Sequence, residues 1–214
     1  MKRTLSIGKW ILFSLLCISI SMYPMRYLLA EEVIGLLQSK SSDLLSSSIW
    51  QLFFNLHIIF GGIALLVGWT QFSEHVRNKY RNIHLVLGKI YVFAVFISGI
   101  SALYIAVYAT GGWVAKSGFF CLGIIWLFTT IQAYRHARSK FFSLHEKMMI
   151  YSFAACFAAV TLRLWLAPLS VLFGEFIPAY RLVAWLCWVP NIIVAFFIVR
   201  QKGLNRPIAI PAVS

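Results

Sequence analysis

The chain has 214 residues, 61% of them from the apolar set and only 12% charged, with a mean hydropathy of +0.82. An ordinary soluble domain is about 45–50% apolar and about 25% charged, so a soluble globule is excluded, as is a disordered polyanion-binding tail, which would be poor in apolar residues. The net charge of +13 must therefore be explained by where the charges sit along an apolar chain.

A helix that crosses roughly 30 Å of hydrocarbon needs about 20 apolar residues. The first such run covers residues 10–29 and follows Lys2, Arg3 and Lys9. Pro24, Arg26 and the large residues before Ala30 make a poor signal-peptide cleavage site, so this run is expected to remain as an anchored helix. Residues 30–50 form the one sizeable loop, with Ile34, Leu36, Leu37, Leu44 and Leu45 set among polar residues as in a short surface helix. Five further runs cover residues 51–72, 85–108, 117–134, 148–168 and 181–199. Alternating ten-residue strands are absent, and a helix satisfies its own backbone in lipid. The predicted fold is an all-α integral membrane protein, residues 1–214 forming one domain of six transmembrane helices.

The segments on one side carry fourteen basic residues: Lys2, Arg3, Lys9, Arg77, Lys79, Arg81, Lys89, Arg135, Arg138, Lys140, Lys147, Arg200, Lys202 and Arg206. The other side carries Arg26, Lys40, Lys116 and Arg181 together with Glu31, Glu32, Asp43 and Glu175. By the positive-inside rule the first side is the cytoplasm, both termini lie there, residues 30–50 are external, and the protein is expected in the cell membrane. Anionic headgroups on the cytoplasmic side are the expected lipid partner. No recognition motif interleaves the basic residues, so nucleic acid is not an expected partner.

Shifting the sequence by 61 positions lays residues 71–84 on residues 132–145, with Gln71/Gln132, His75/His136, Arg77/Arg138, Lys79/Lys140 and His84/His145 identical. The positive-inside rule requires the basic pairs but not the glutamine or histidine pairs. A parallel duplication of a helical hairpin, residues 51–108 on 117–168, explains both and implies a four-helix core with a pseudo-twofold axis along the membrane normal. His84 and His145 then open equivalent helices.

Ionisable groups inside hydrocarbon are costly and usually face a bundle interior, so His57 and Arg163, level in the outer leaflet, form a candidate site. Asn55, Thr161 and Gln51 are expected to complete it; Arg163 as a helix tie is the structural alternative. Small residues at Ala64-xxx-Gly68, Ala94-xxx-Ser98-xxx-Ala102, Ala154-xxx-Ala158 and Ala155-xxx-Ala159 mark helix contacts, and Pro190-Asn191 marks a bend in the sixth span. Cys17, Cys121, Cys156 and Cys187 lie singly in different spans, without redox or zinc spacing, and read as small buried apolar residues.

His57-x3-Gly61, Gly68-x2-Gln71, His84-x3-Gly88-x2-Tyr91, Gly111-Gly112, Trp126 with Thr129, and His145 followed by Met149 and Arg163 resemble the bacterial membrane-protein family catalogued as domain of unknown function 2306. The resemblance covers about residues 50–168 and implies no activity. His84-Leu85-Val86-Leu87-Gly88 is similar, more weakly, to the His-x-x-Leu-Gly context in ascorbate-reducible transmembrane cytochromes b. That similarity implies one haem b between His84 and His145, with Gly88 admitting the macrocycle. An outer haem would need a ligand such as Met22 or Met25, because His57 is the only outer histidine.

Three functions follow as expectations. The first is a haem b electron carrier using His84 and His145 as iron ligands, with a redox partner. The second is an ion, proton or small-molecule transporter using His57, Arg163 and Asn55, although interrupted helices in equivalent positions of the two repeats are not evident. The third is a non-catalytic membrane subunit. Hydrolase, phosphate-loop and HExxH signatures are absent, which leaves catalysis undecided.

Overall fold

The computed structural model describes residues 2–30 and 32–204. Glu31, Arg206 and the side chains of Lys2 and Arg3, all counted in the charge pattern above, lie outside the described residues. Among the described residues every regular element is helical, and six helices are long and apolar enough to cross a membrane.

The first span joins α1 (Lys2–Ser21) to α2 (Pro24–Leu28), with Pro24 in the first turn of α2, where a missing N–H costs nothing. The loop that follows contains a 3-10 turn (Gly35–Ser39) and α3 (Ser42–Ser46). Ser47 caps α4 (Ser48–Gly68), its hydroxyl accepting from the Trp50 N–H. Ser73 likewise caps α5 (Glu74–Lys79), which leads into α6 (Arg81–Ala106). Gly111 and Gly112 have φ of 96° and 72°, left-handed values that favour glycine, and turn the chain into α7 (Gly112–Arg138). The fifth span is α8 (Phe142–Cys156) and α9 (Ala158–Phe173); the sixth is α10 (Phe176–Leu186) and α11 (Val189–Gln201).

Both of the last spans are interrupted, the sixth where Pro190 cannot donate a backbone hydrogen bond. Near this break the Cys187 carbonyl accepts from the Thr161 hydroxyl and from the Asn191 side-chain amide at 2.9 Å. Asn191 also donates to Thr161 Oγ1 at 3.1 Å, so α9 and α11 together cover the exposed carbonyl.

Helix α4 packs along α6, α7 along α8, and α6 along α7. The α6–α7 seam closes because Gly99 receives Leu127 and Gly123 receives Leu103; a Cβ on either glycine would lie 2.6 or 2.8 Å from a leucine methyl. Helices α4 and α8 meet at Gly68, where a Cβ would lie 2.6 Å from the Phe153 ring and 2.8 Å from Tyr91. Further along α4, Gly62 receives the α1–α2 turn: a Cβ there would lie 2.8 Å from the Ser21 carbonyl. The first span thus wedges against α4 and α9, and a void is left between those two helices.

Below the void lies a buried polar cluster. Tyr91 Oη pairs with Ser152 Oγ at 2.8 Å and accepts from Trp126 Nε1 at 3.4 Å, and Thr130 Oγ1 pairs with Ser152 Oγ at 2.6 Å. Tyr91 and Ser152 are 61 residues apart. Large apolar side chains such as Leu12, Phe93, Phe96, Phe128 and Phe197 are exposed around the bundle, as a lipid-facing surface requires.

Candidate functional site

The void is a cavity of about 660 Å³, within the range of small-molecule sites. Its walls come from α2, α4, α6, α7, α9 and the 30–47 loop, and they are mostly apolar and aromatic. The loop closes one end. Ser39 Oγ pairs with Thr110 Oγ1 at 3.0 Å, Lys40 Nζ donates to the Tyr108 carbonyl, and Leu36 packs against the cluster of Tyr180 and Ala109. The opposite end of the bundle carries the basic turns, including Arg77, Arg138 and Lys202.

His57 and Arg163 both line this cavity. His57 Nδ1 lies 3.1 Å from the Ser98 carbonyl and 3.0 Å from Ser98 Oγ, while that hydroxyl donates back to the His57 carbonyl at 2.9 Å. A carbonyl only accepts, so Nδ1 carries a proton, and in the neutral ring Nε2 keeps the lone pair. Gly61, one turn on, makes room: a Cβ there would stand 3.1 Å from Ser98 Oγ.

Arg163 donates through Nη1 to the Ala159 carbonyl at 2.6 Å, and its Cζ lies 4.1 Å from the centre of the Tyr23 ring. Its Nε is buried without an acceptor. No Asp or Glu among the described residues lines the cavity, whose cations are Arg163 and Lys40. The ion pairs found among the described residues, Arg77–Glu74 and Lys202–Glu146, belong to the basic end. Desolvation and the nearby Lys116 bring the Lys40 amine down from 10.5 to about 8.

The expected partners of His57 and Arg163 are not brought to them. Asn55 is exposed and off the cavity wall, because two residues along a helix from His57 is a turn of about 200°. Thr161 serves the break in the sixth span, and Gln51 donates to the Leu45 carbonyl below α3. In their place stand Tyr23, Ser98 and Lys40, which the sequence pattern did not single out as site residues. The spacing Tyr23-x3-Tyr27 on one helical face was the available signal for the first.

At the basic end, His145 Nδ1 donates to the Ala133 carbonyl at 2.9 Å, and His84 Nδ1 is buried without a partner. The two imidazoles lie within electrostatic range of one another. Gly88 faces the Gln71 side chain, whose Oε1 would be 3.3 Å from a Cβ at that glycine. Met22 and Met25 are both exposed. No cluster of three or more His, Cys, Asp or Glu with metal-binding geometry occurs among the described residues.

Fold and site together define a polytopic, all-α membrane protein with a capped cavity inside its bundle. The chain belongs to the family described as predicted membrane protein (DUF2306), whose model matches residues 54–199. No curated protein and no solved structure matches it.

Proposed function

We propose that the protein is a small-molecule binding protein of the cell membrane, a carrier or receptor whose working part is the cavity between α4 and α9. One observation carries this reading: about 660 Å³ of mostly apolar, aromatic-walled space is kept open in a bundle that elsewhere packs glycine against leucine. The charge pattern supports an orientation with both termini cytoplasmic and the 30–47 loop outside, which makes the cavity an outer-leaflet site. A duplicated hairpin accounts for its position. Gly62 and Gly123 are equivalent under the 61-residue shift; Gly123 receives Leu103 of the other hairpin, whereas Gly62 receives the first span. Tyr91 and Ser152 are equivalent and touch, as residues on a twofold axis do. Symmetry is broken where the first span intrudes, and the cavity opens there.

The test uses protein in nanodiscs of zwitterionic lipid and a long-chain alcohol brominated near its end, which quenches nearby tryptophans. Trp50 and Trp126 line the cavity, so saturable quenching is expected, and filling the space by Ala102→Phe should remove it. Quenching that does not saturate, or that survives Ala102→Phe, would discard the cavity as the working site.

A haem b between His84 and His145 is a second reading, favoured by the Ala133 carbonyl, which orients His145 with Nε2 free. The space beside Gly88 is taken by Gln71, so the fit to a macrocycle is incomplete, and no chemistry is derived through it. The visible spectrum of protein purified from haem-replete cells decides: a reduced low-spin spectrum that is lost in His84→Ala and His145→Ala would establish haem, and its absence would end the idea.

A further inference from the structure

The charges on the cavity wall specify more than its apolar volume does. Arg163 sits within a span, anchored by Nη1 to the Ala159 carbonyl and with Tyr23 beneath its guanidinium. Its side edge, formed by Nε and Nη2, is the edge with which arginine binds a carboxylate through two parallel hydrogen bonds. Nε is buried without an acceptor, and the Tyr23 side chain is the polar neighbour of the guanidinium. Lys40 adds a second positive group at the loop end, and no acid on the described wall offsets either. A half-buried cation of this kind, with one backbone acceptor and one aromatic face, gains further stabilisation from an anion.

We infer that the cavity binds a single-chain carboxylate amphiphile, its head on the Nε/Nη2 edge of Arg163 and its tail among the apolar walls. This rests on the cavity being the working site, as proposed above. Size favours one chain, because a two-chain phospholipid exceeds the range of such sites. A single fork and one distal amine suit one negative charge. His57, with its proton held by Ser98, presents a lone pair and so does not compete for the carboxylate.

The experiment compares a brominated fatty acid with the brominated alcohol of the same chain by tryptophan quenching, in wild type and Arg163→Gln, at neutral pH in zwitterionic nanodiscs. The acid is expected to bind about tenfold tighter than the alcohol to wild type, the scale of a charge-assisted hydrogen-bonded pair. Arg163→Gln should abolish the preference, bringing the acid to the level of the alcohol measured in the same variant. Equal binding of acid and alcohol by wild type would overturn the carboxylate site while leaving the cavity as a binding site. Retention of the acid preference in Arg163→Gln would do the same. Saturable binding of neither molecule would overturn both. The wild-type comparison needs no variant, so a folding defect in Arg163→Gln leaves the proposal testable.

Discussion

Two buried polar groupings in the bundle, the Tyr91 cluster and Arg163 on the cavity wall, are treated in opposite ways. Towards the basic end, Tyr91, Ser152 and Thr130 pair with one another, and Trp126 donates to the tyrosine. Towards the capped end, Arg163 keeps Nε without an acceptor and shares an acid-free wall with Lys40. In a low-dielectric interior a satisfied network rigidifies, whereas an unpaired group is a standing cost. The Tyr91 cluster therefore adds stability, whereas Arg163 carries a cost that the proposed ligand would offset.

The largest effect should come from disturbing the packing around Tyr91. Gly68→Val places methyl groups where the rings of Phe153 and Tyr91 already stand less than 3 Å from a Cβ, so α4 must part from α6 and α8 or both rings must move. Overpacking of this kind costs about 1–3 kcal/mol, and a clear fall in thermal unfolding temperature and in folded yield is expected. Tyr91→Phe removes a hydroxyl that serves Ser152 and Trp126 together and should cost about 1–2 kcal/mol. An unchanged unfolding temperature for Tyr91→Phe would mean that the network does not hold α6, α7 and α8 together.

Arg163→Leu turns the comparison around. It removes a charge with one backbone acceptor and an aromatic contact, and replaces it with a side chain suited to the wall. Stability should change by less than about 1 kcal/mol, in either direction, as replacing a poorly compensated buried charge commonly does. Destabilisation as large as that of Gly68→Val would show Arg163 to be a helix tie.

The six spans were legible because lipid leaves a helix no alternative, so apolar run length translates directly into structure. The structural helices run past those limits, α6 starting at Arg81 and α7 reaching Arg138, because helix continues into the interface where charges are tolerated. His57 and Arg163 were legible for the same energetic reason, being polar where polarity is costly. Their surroundings were not. Asn55 is near His57 in sequence but on another face, whereas Tyr23 and Lys40 reach the cavity from a different span and a loop. Which helices converge depends on small-residue contacts such as Gly62 against Ser21, and those are read only in three dimensions. Interruption of the fifth span at Phe157 likewise has no proline to announce it.

The smallest effect concerns the loop that caps the cavity. In the docked loop Lys40 is half-buried near Lys116 and titrates at about 8; released into water it would titrate at 10.5. Between those values the released loop holds a proton that the docked loop lacks, so raising the pH favours docking. Below about 8 both forms are charged, and the cost of burying the charge is constant. Nicking of residues 30–47 by a protease should therefore slow relative to Lys40→Gln as pH rises from about 7 to about 9.5, and a flat ratio would place Lys40 in water. Neutralising Lys40 also removes one of the two cations on the cavity wall. Over the same interval the fatty acid should lose roughly threefold in affinity, the scale of one screened charge, while the alcohol holds constant. Tighter capping with weaker acid binding is a pairing that only a cation at the cavity end of the loop produces, because a loop acting as a plain lid would strengthen both ligands together.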